Sequence, residues 1–142
     1  MTVISRSEAD TERAGEALSR GLKPGSVVAM YGDLGAGKTA FVRGMARGMG
    51  ISCRVSSPTF TIVNEYAGNG RELLHFDLYR LGSADELLDI GWDDYLARGA
   101  VCAVEWSENA EDIFDGSEVT VSITKTSDTE REIEIKGGCS LC

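Results

Sequence analysis

Ser26-Val-Val-Ala-Met-Tyr-Gly-Asp-Leu-Gly-Ala-Gly-Lys-Thr-Ala-Phe-Val-Arg-Gly-Met-Ala-Arg47 is the stretch that decides the fold. Ser26 to Tyr31 reads as a buried strand and Ala40 to Arg47 as an amphipathic helix. Between them, Gly32-Asp-Leu-Gly-Ala-Gly-Lys-Thr39 has the pattern G-x-x-x-x-G-K-T of a phosphate-binding loop. Each fixed position has a mechanical reason. Gly32 and Gly37 let the backbone turn tightly and approach an anion. Successive N–H groups then face that anion beside a helix N-terminus. Lys38 would reach the β- and γ-phosphates, and the Thr39 hydroxyl would ligate Mg²⁺. A chance glycine-rich turn would need neither the strand before it nor the helix after it.

The remainder of the chain is consistent with one α/β domain. Its 142 residues and 42% hydrophobic content suit a single globular core. The net charge of −9, from 14 basic and 23 acidic side chains, suits a protein that does not grip nucleic acid by itself. A nucleic-acid role would run through a partner. No stretch approaches the roughly 20 apolar residues that span a bilayer, and the first residues lack a signal peptide's apolar core. The expected location is therefore cytoplasmic. Cys53 and Cys102 lie in or near apolar segments and read as buried thiols. Cys139 and Cys142 form a lone C-x-x-C after Gly137-Gly138, without the strand–helix context of a redox pair or the second ligand pair of a zinc site. Residues 1–136 read as the domain and 137–142 as a disordered tail without function.

Outward from the decisive stretch, residues 7–20 read as a helix capped by Ser7 or Asp10, and Lys23-Pro-Gly25 separates it from the first strand. Thr59–Tyr66 and Glu72–Tyr79 read as a β-hairpin around Ala67-Gly-Asn-Gly70. Ser83-Ala-Asp-Glu86 opens a further helix as a capping box, and Trp92–Arg98 is helical, with Trp92 in the core. Ala100-Val-Cys-Ala-Val-Glu105 reads as a central buried strand. Residues 107–114 form a short helix or loop. Val119–Thr124 and Arg131–Lys136 alternate as a terminal antiparallel pair. The composite is a mixed sheet flanked by helices.

A phosphate loop needs an acid at the end of a neighbouring strand, because Mg²⁺ prefers carboxylate and hydroxyl oxygens. Glu105 and Asp77 both close apolar runs. One would hold the metal and the other would orient an attacking water; simple strand-end acids are the alternative. Thr59, after Ser57-Pro58, is either a γ-phosphate sensor or a turn threonine. His75 reads as structural rather than catalytic. Trp106 is placed near the site or on a partner surface, and Arg80 either faces phosphate or pairs with an acid.

Four motifs occur in order: Gly32–Thr39, Ser57-Pro-Thr-Phe60, His75-Phe-Asp-Leu-Tyr-Arg-Leu81 and Val104-Glu-Trp106. Together they resemble the TsaE family, also called YjeE, over about residues 5–136. The resemblance implies a Mg²⁺-dependent ATPase acting in bacterial tRNA threonylcarbamoyladenosine formation with two partners, TsaD and TsaB. The tRNA would be contacted only through that complex. By position it implies that Gly35, Ala36, Gly37, Lys38, Thr39 and Ala40 wrap the phosphates, and that Thr39 and Glu105 hold Mg²⁺. It gives Asp77 the catalytic or water-orienting role, Thr59 the γ-phosphate sensor, and Trp106 a place beside the nucleotide. The segment Ser7 to Thr11 and Arg131 would approach the nucleotide. Two other readings compete. A small-molecule kinase would need an arginine-bearing lid, which no segment after residue 80 resembles. A nucleotide-gated binding module would switch without turnover.

Overall fold

The computed structural model describes residues 1–33, 35–52, 54–56 and 62–137. Seven strands form one mixed sheet in the order β1-β7-β6-β2-β5-β4-β3. In chain order these are β1 (Thr2–Ser5), β2 (Val27–Tyr31), β3 (Val63–Gly68), β4 (Arg71–Asp77), β5 (Val101–Glu105), β6 (Val119–Lys125) and β7 (Arg131–Gly137). The central strands β6, β2, β5 and β4 run parallel, and β1, β7 and β3 pair antiparallel at the flanks.

Helices α1 (Glu8–Arg20) and α2 (Lys38–Gly48) cover one face. The other is covered by α3 (Ala84–Ile90), α4 (Trp92–Ala97) and a 3₁₀ segment, Ser107–Ile113, broken at Ala110. Strand alternation sorts the core between them. Val28, Met30, Leu73, Val101 and Ala103 point to the α1/α2 side, and Leu74, Phe76, Cys102 and Val104 to the other. The central strands β2, β5 and β4 are thus buried on both faces, as their continuous apolar runs require, whereas β6 and β7 alternate and leave one face more open. Phe41, Met45 and Met30 are fully buried, each such side chain contributing about 1.5–3 kcal/mol. Trp92 lies in the core as expected, edge-on to Phe76 at 5.2 Å. Burial pushes the Cys102 thiol up to about 12, which leaves it unreactive.

Local chemistry explains the element ends. Ser7 caps α1 by accepting the Asp10 N–H at 3.1 Å. The hairpin closes on Asn69 (φ 52) and Gly70 (φ 72), a two-residue loop with the left-handed pair that right-twisted strands prefer. Its strands therefore run closer to the turn than their composition indicates.

Three expectations change. Thr2–Ser5, which carries too few residues to show a period, becomes an edge strand on β7. Ser83 sits at the N-cap of α3 without a side-chain cap bond; Glu86 instead accepts the Gly82 N–H at 3.0 Å, one residue further back than a capping box. Gly137, read as the start of the tail, is the last residue of β7, opposite Val119. Residues 138–142 and Cys53 lie outside the described residues.

Helix α1 rests on α2 backbone to backbone. A Cβ at Gly15 would overlap the Phe41 carbonyl oxygen, and one at Gly44 would overlap that of Glu12. Ion pairs run along the same seam: Arg43 to Glu8 (2.9 Å) and Glu12 (3.0 Å), and Arg47 to Glu12 and Glu16. This seam sets the N-terminus of α1 beside the phosphate-binding loop.

Candidate functional site

The loop leaves β2 at Gly32, where a Cβ would lie 2.6 Å from the Ile123 carbonyl oxygen on β6, so the backbone passes where no side chain fits. It enters α2 through Gly37, a left-handed N-cap at φ 109. The helix starts at Lys38, two residues earlier than the amphipathic pattern shows. Lys38 and Thr39 thus occupy its first turn, where the N–H groups lack intrahelical acceptors and the helix dipole is positive.

Lys38 is buried. Its ammonium donates to the Gly32 carbonyl at 2.5 Å and lies 3.6 Å from the centre of the Trp106 ring. Burial pulls its pKa below the ordinary lysine value, against the opposing pull of Glu105, Glu108, Asp77 and Asp33. An arriving anion would relieve that burial cost. Trp106 holds this position with a left-handed backbone, φ 58, and its ring packs 5.0 Å from Tyr79.

The acids come from adjacent parallel strands. Asp77 and Glu105 are register partners at the ends of β4 and β5. The two-residue period carries His75, Asp77 and Glu105 to the sheet face that α2 covers. Glu105 is buried; its Oε2 accepts the Thr39 hydroxyl at 3.3 Å and contacts His75 Nε2. His75 is wholly buried, and its Nδ1 meets no hydrogen-bonding partner among the described residues. Nε2 is thus the ring nitrogen placed to donate to the carboxylate. Asp77 is half-buried, and its Oδ1 accepts the Tyr79 N–H at 3.0 Å.

Lys38, Thr39, Asp77, Glu105 and Trp106 line one open cleft of about 570 Å³, with His75 buried behind Glu105. Thr11 closes one side: its hydroxyl bonds Ser5 Oγ at 2.7 Å, and its methyl would lie 3.7 Å from a Cβ added at Gly37. Arg131 closes another, its Nε donating to the Ala36 carbonyl at 3.1 Å. The donor chemistry fits the expected occupants. A hydroxyl and a carboxylate are the oxygen ligands a hard divalent cation takes. A glycine cradle, a buried ammonium and a helix N-terminus suit a polyphosphate.

The family model for threonylcarbamoyl adenosine biosynthesis protein TsaE matches residues 5–133. The chain belongs to the TsaE family. It is 42% identical over 135 residues to the tRNA threonylcarbamoyladenosine biosynthesis protein TsaE of Treponema pallidum, covering 95% of this chain and 99% of that protein. It is 45% identical over 111 residues to the protein of the same name from Bacillus subtilis, covering 78% and 69%. The crystal structure of Bacillus subtilis YdiB superposes with a TM-score of 0.80 at 34% identity, covering 94% of this chain and 82% of that one. The fold is that of a P-loop protein.

In this TsaE-family chain, Gly35, Ala36, Gly37, Lys38, Thr39, Ala40, Asp77, Glu105, Trp106, Thr11 and Arg131 all line the cleft. Gly32 stands behind it as the acceptor for Lys38. The Ala36 N–H is turned to the Asp33 carbonyl at 3.0 Å, so this residue meets the loop and Arg131 through its backbone. Thr59 lies outside the described residues. Sequence reasoning missed Arg6, Arg43, Asp128 and Thr129, which also line the cleft. Arg43 carried a signal, lying one helical turn after Thr39. Asp128 and Thr129 sit in an ordinary polar turn and carried none. The contact of His75 with Glu105 carried no signal in the sequence, because it depends on β4 pairing with β5.

Proposed function

We propose that this TsaE-family chain is a Mg²⁺-dependent ATPase subunit of tRNA threonylcarbamoyladenosine biosynthesis, whose nucleotide cycle drives or resets a TsaB–TsaD transferase assembly. The observation that carries the reading is the convergence of Lys38, Thr39, Glu105 and Asp77 on one cleft at the mouth of a P-loop. The choice of ATP and of these partners comes from the family.

In this reading the first turn of α2 receives the phosphates, and Lys38 leaves the Gly32 carbonyl and the Trp106 face for a phosphate oxygen. Thr39 and Glu105 would hold Mg²⁺, which would supply charge neutralisation at the phosphates. His75 fixes the Glu105 carboxylate from behind, leaving its orientation set before any metal arrives. Asp77, more exposed than Glu105, would orient the attacking water and take its proton as the water oxygen bonds the γ-phosphorus and the bridging oxygen leaves with ADP. Arg131 steadies the loop through Ala36.

The deciding experiment measures Mg²⁺-dependent ATP hydrolysis by the chain alone and with TsaB and TsaD. Hydrolysis that rises with the pair, is abolished by Lys38→Ala, and yields no phosphorylated small molecule supports the reading. A rate indifferent to the pair, with phosphoryl transfer to an added acceptor, replaces it with a kinase. Asp77→Ala should lower hydrolysis more than nucleotide binding, because a water-orienting acid acts in the transition state.

A further inference from the structure

The chain's negative charge is concentrated in one segment, which holds α3, α4 and the 3₁₀ segment and also Glu105 of the cleft. From Leu81 to Glu118 there are eleven acids and one base, a net −10, so the other residues together amount to +1. Asp85, Asp89, Asp93, Asp94, Glu111 and Asp112 are exposed, and among the described residues no ion pair reaches them. Arg98, the one base of the segment, is turned to Glu65 (2.8 Å) and Glu72 (2.5 Å). The field reaches inward: burial first, then Glu111, Glu108 and Glu118, push the Tyr31 phenol above its ordinary value.

A groove with an apolar floor and the acids Asp85, Asp93 and Asp112 on its walls runs through this surface. It lies between α3, α4 and the 3₁₀ segment, holds about 480 Å³, and is floored by Leu88, Trp92, Leu96 and Ile113. Leu88 is 44% exposed and its neighbour Ile90 38%. An exposed leucine and isoleucine on one short helix, ringed by unpaired charge of a single sign, suit an interface core with a polar rim.

We propose that this groove docks a basic face of a partner protein, which inserts an apolar side chain beside Leu88 while its lysines and arginines meet the acidic rim. The inference rests on the proposed function, in which the output is delivered to a protein assembly. Other occupants fit less well. RNA and anionic membrane are repelled by the same charge. A second copy would set two acidic faces against each other. The described residues bring no three acids together as a metal cage, so a bound cation does not account for them. The position is also suited to signalling. Helix α3 follows β4, which ends at Asp77, and the 3₁₀ segment follows β5, which ends at Glu105. Asn109 ties the two exits together, its side-chain amide donating to the carbonyls of Leu78 (2.8 Å) and Tyr79 (3.2 Å). A partner seated here would touch segments rooted in both acid-bearing strands.

The test is binding of the full chain to the purified TsaB–TsaD pair, with Mg²⁺ and a non-hydrolysable ATP analogue, at about 0.05 M and about 0.3 M salt. The variants are Asp89→Lys/Asp93→Lys, Leu88→Ser, and Glu132→Lys on exposed β7 as a charge control. The expected result is a Kd raised about tenfold or more by each groove variant, binding that weakens steeply with salt, and a control within about twofold of wild type. Wild-type binding that both groove variants retain overturns the docking site and leaves the proposed function standing. Failure of the wild-type chain to bind the pair overturns both.

Discussion

The two faces of the sheet handle charge and contact in opposite ways. On the α1/α2 face, acids and arginines pair across the helix seam, and glycines let the backbones touch. On the α3/α4 face, a denser set of acids goes unpaired among the described residues, and two large apolar side chains stand in solvent. The first arrangement suits a scaffold that holds the P-loop and the N-terminus of α1 in fixed relation. The second suits a surface kept for something outside the chain. On the proposed reading, stability and partner recognition are separated by the sheet, and Asp77 and Glu105 lie at its strand ends.

The contrast can be broken most directly at the glycines. Gly44→Ala should cost about 3 kcal/mol in urea unfolding, because the new methyl meets the Glu12 carbonyl and α1 must move. Gly82→Ala, before α3, meets only the end of the Glu86 side chain at 3.5 Å and should stay within about 0.5 kcal/mol. Equal losses at both would show that the faces are packed alike.

A smaller effect is expected beneath α2. His75→Phe keeps the buried ring and removes its contact with Glu105. The Mg²⁺ concentration giving half-maximal hydrolysis should rise about tenfold, equivalent to about 1.4 kcal/mol, a typical cost of losing such a supporting group. An unchanged Mg²⁺ titration would make His75 a core filler.

Next comes the seam itself. Burial raises the pKa of Glu12, but hydrogen bonds from Arg43 and Arg47 outweigh it and hold the carboxyl below its ordinary 4.5. A carboxylate depressed in the folded state stabilises above its unfolded pKa and loses that contribution as pH falls through the folded one. Glu12→Gln should therefore cost about 1 kcal/mol at pH 7 and progressively less below about pH 4.5. Chemical unfolding across that range would show it; a pH-independent difference would place the effect in packing.

The smallest effect belongs to the acidic face. Asp89→Asn should change stability by less than about 0.5 kcal/mol, upward if the unpaired acids repel one another. A loss of about 1 kcal/mol or more in thermal or urea unfolding would reveal a structural partner for Asp89 and erase the contrast with Glu12.

Much of this was readable in one dimension where a residue's role depends on its near neighbours. The P-loop, the Asn69-Gly70 turn and the Ser7 cap are short-range chemistry, so composition and spacing disclose them. Asp77 and Glu105 were found because each closes an apolar run. Their adjacency depends on β4 and β5 pairing in register, which no local pattern states. Ser83 shows the limit in the other direction, since a capping box in sequence became a bond to Gly82 in space. Nothing in the helical pattern singles out Gly15 and Gly44; their role shows only where the two helices come into contact.

The sequence by itself determined the P-loop, the alternation of strands and helices, the acid-ended strands and the family, because each is encoded within a few consecutive residues. Tertiary structure alone decided that His75 contacts Glu105 and that Asp85, Asp93 and Asp112 line one groove with Leu88 and Leu96. Those relations join residues far apart in the chain, and only the folded sheet sets their distance.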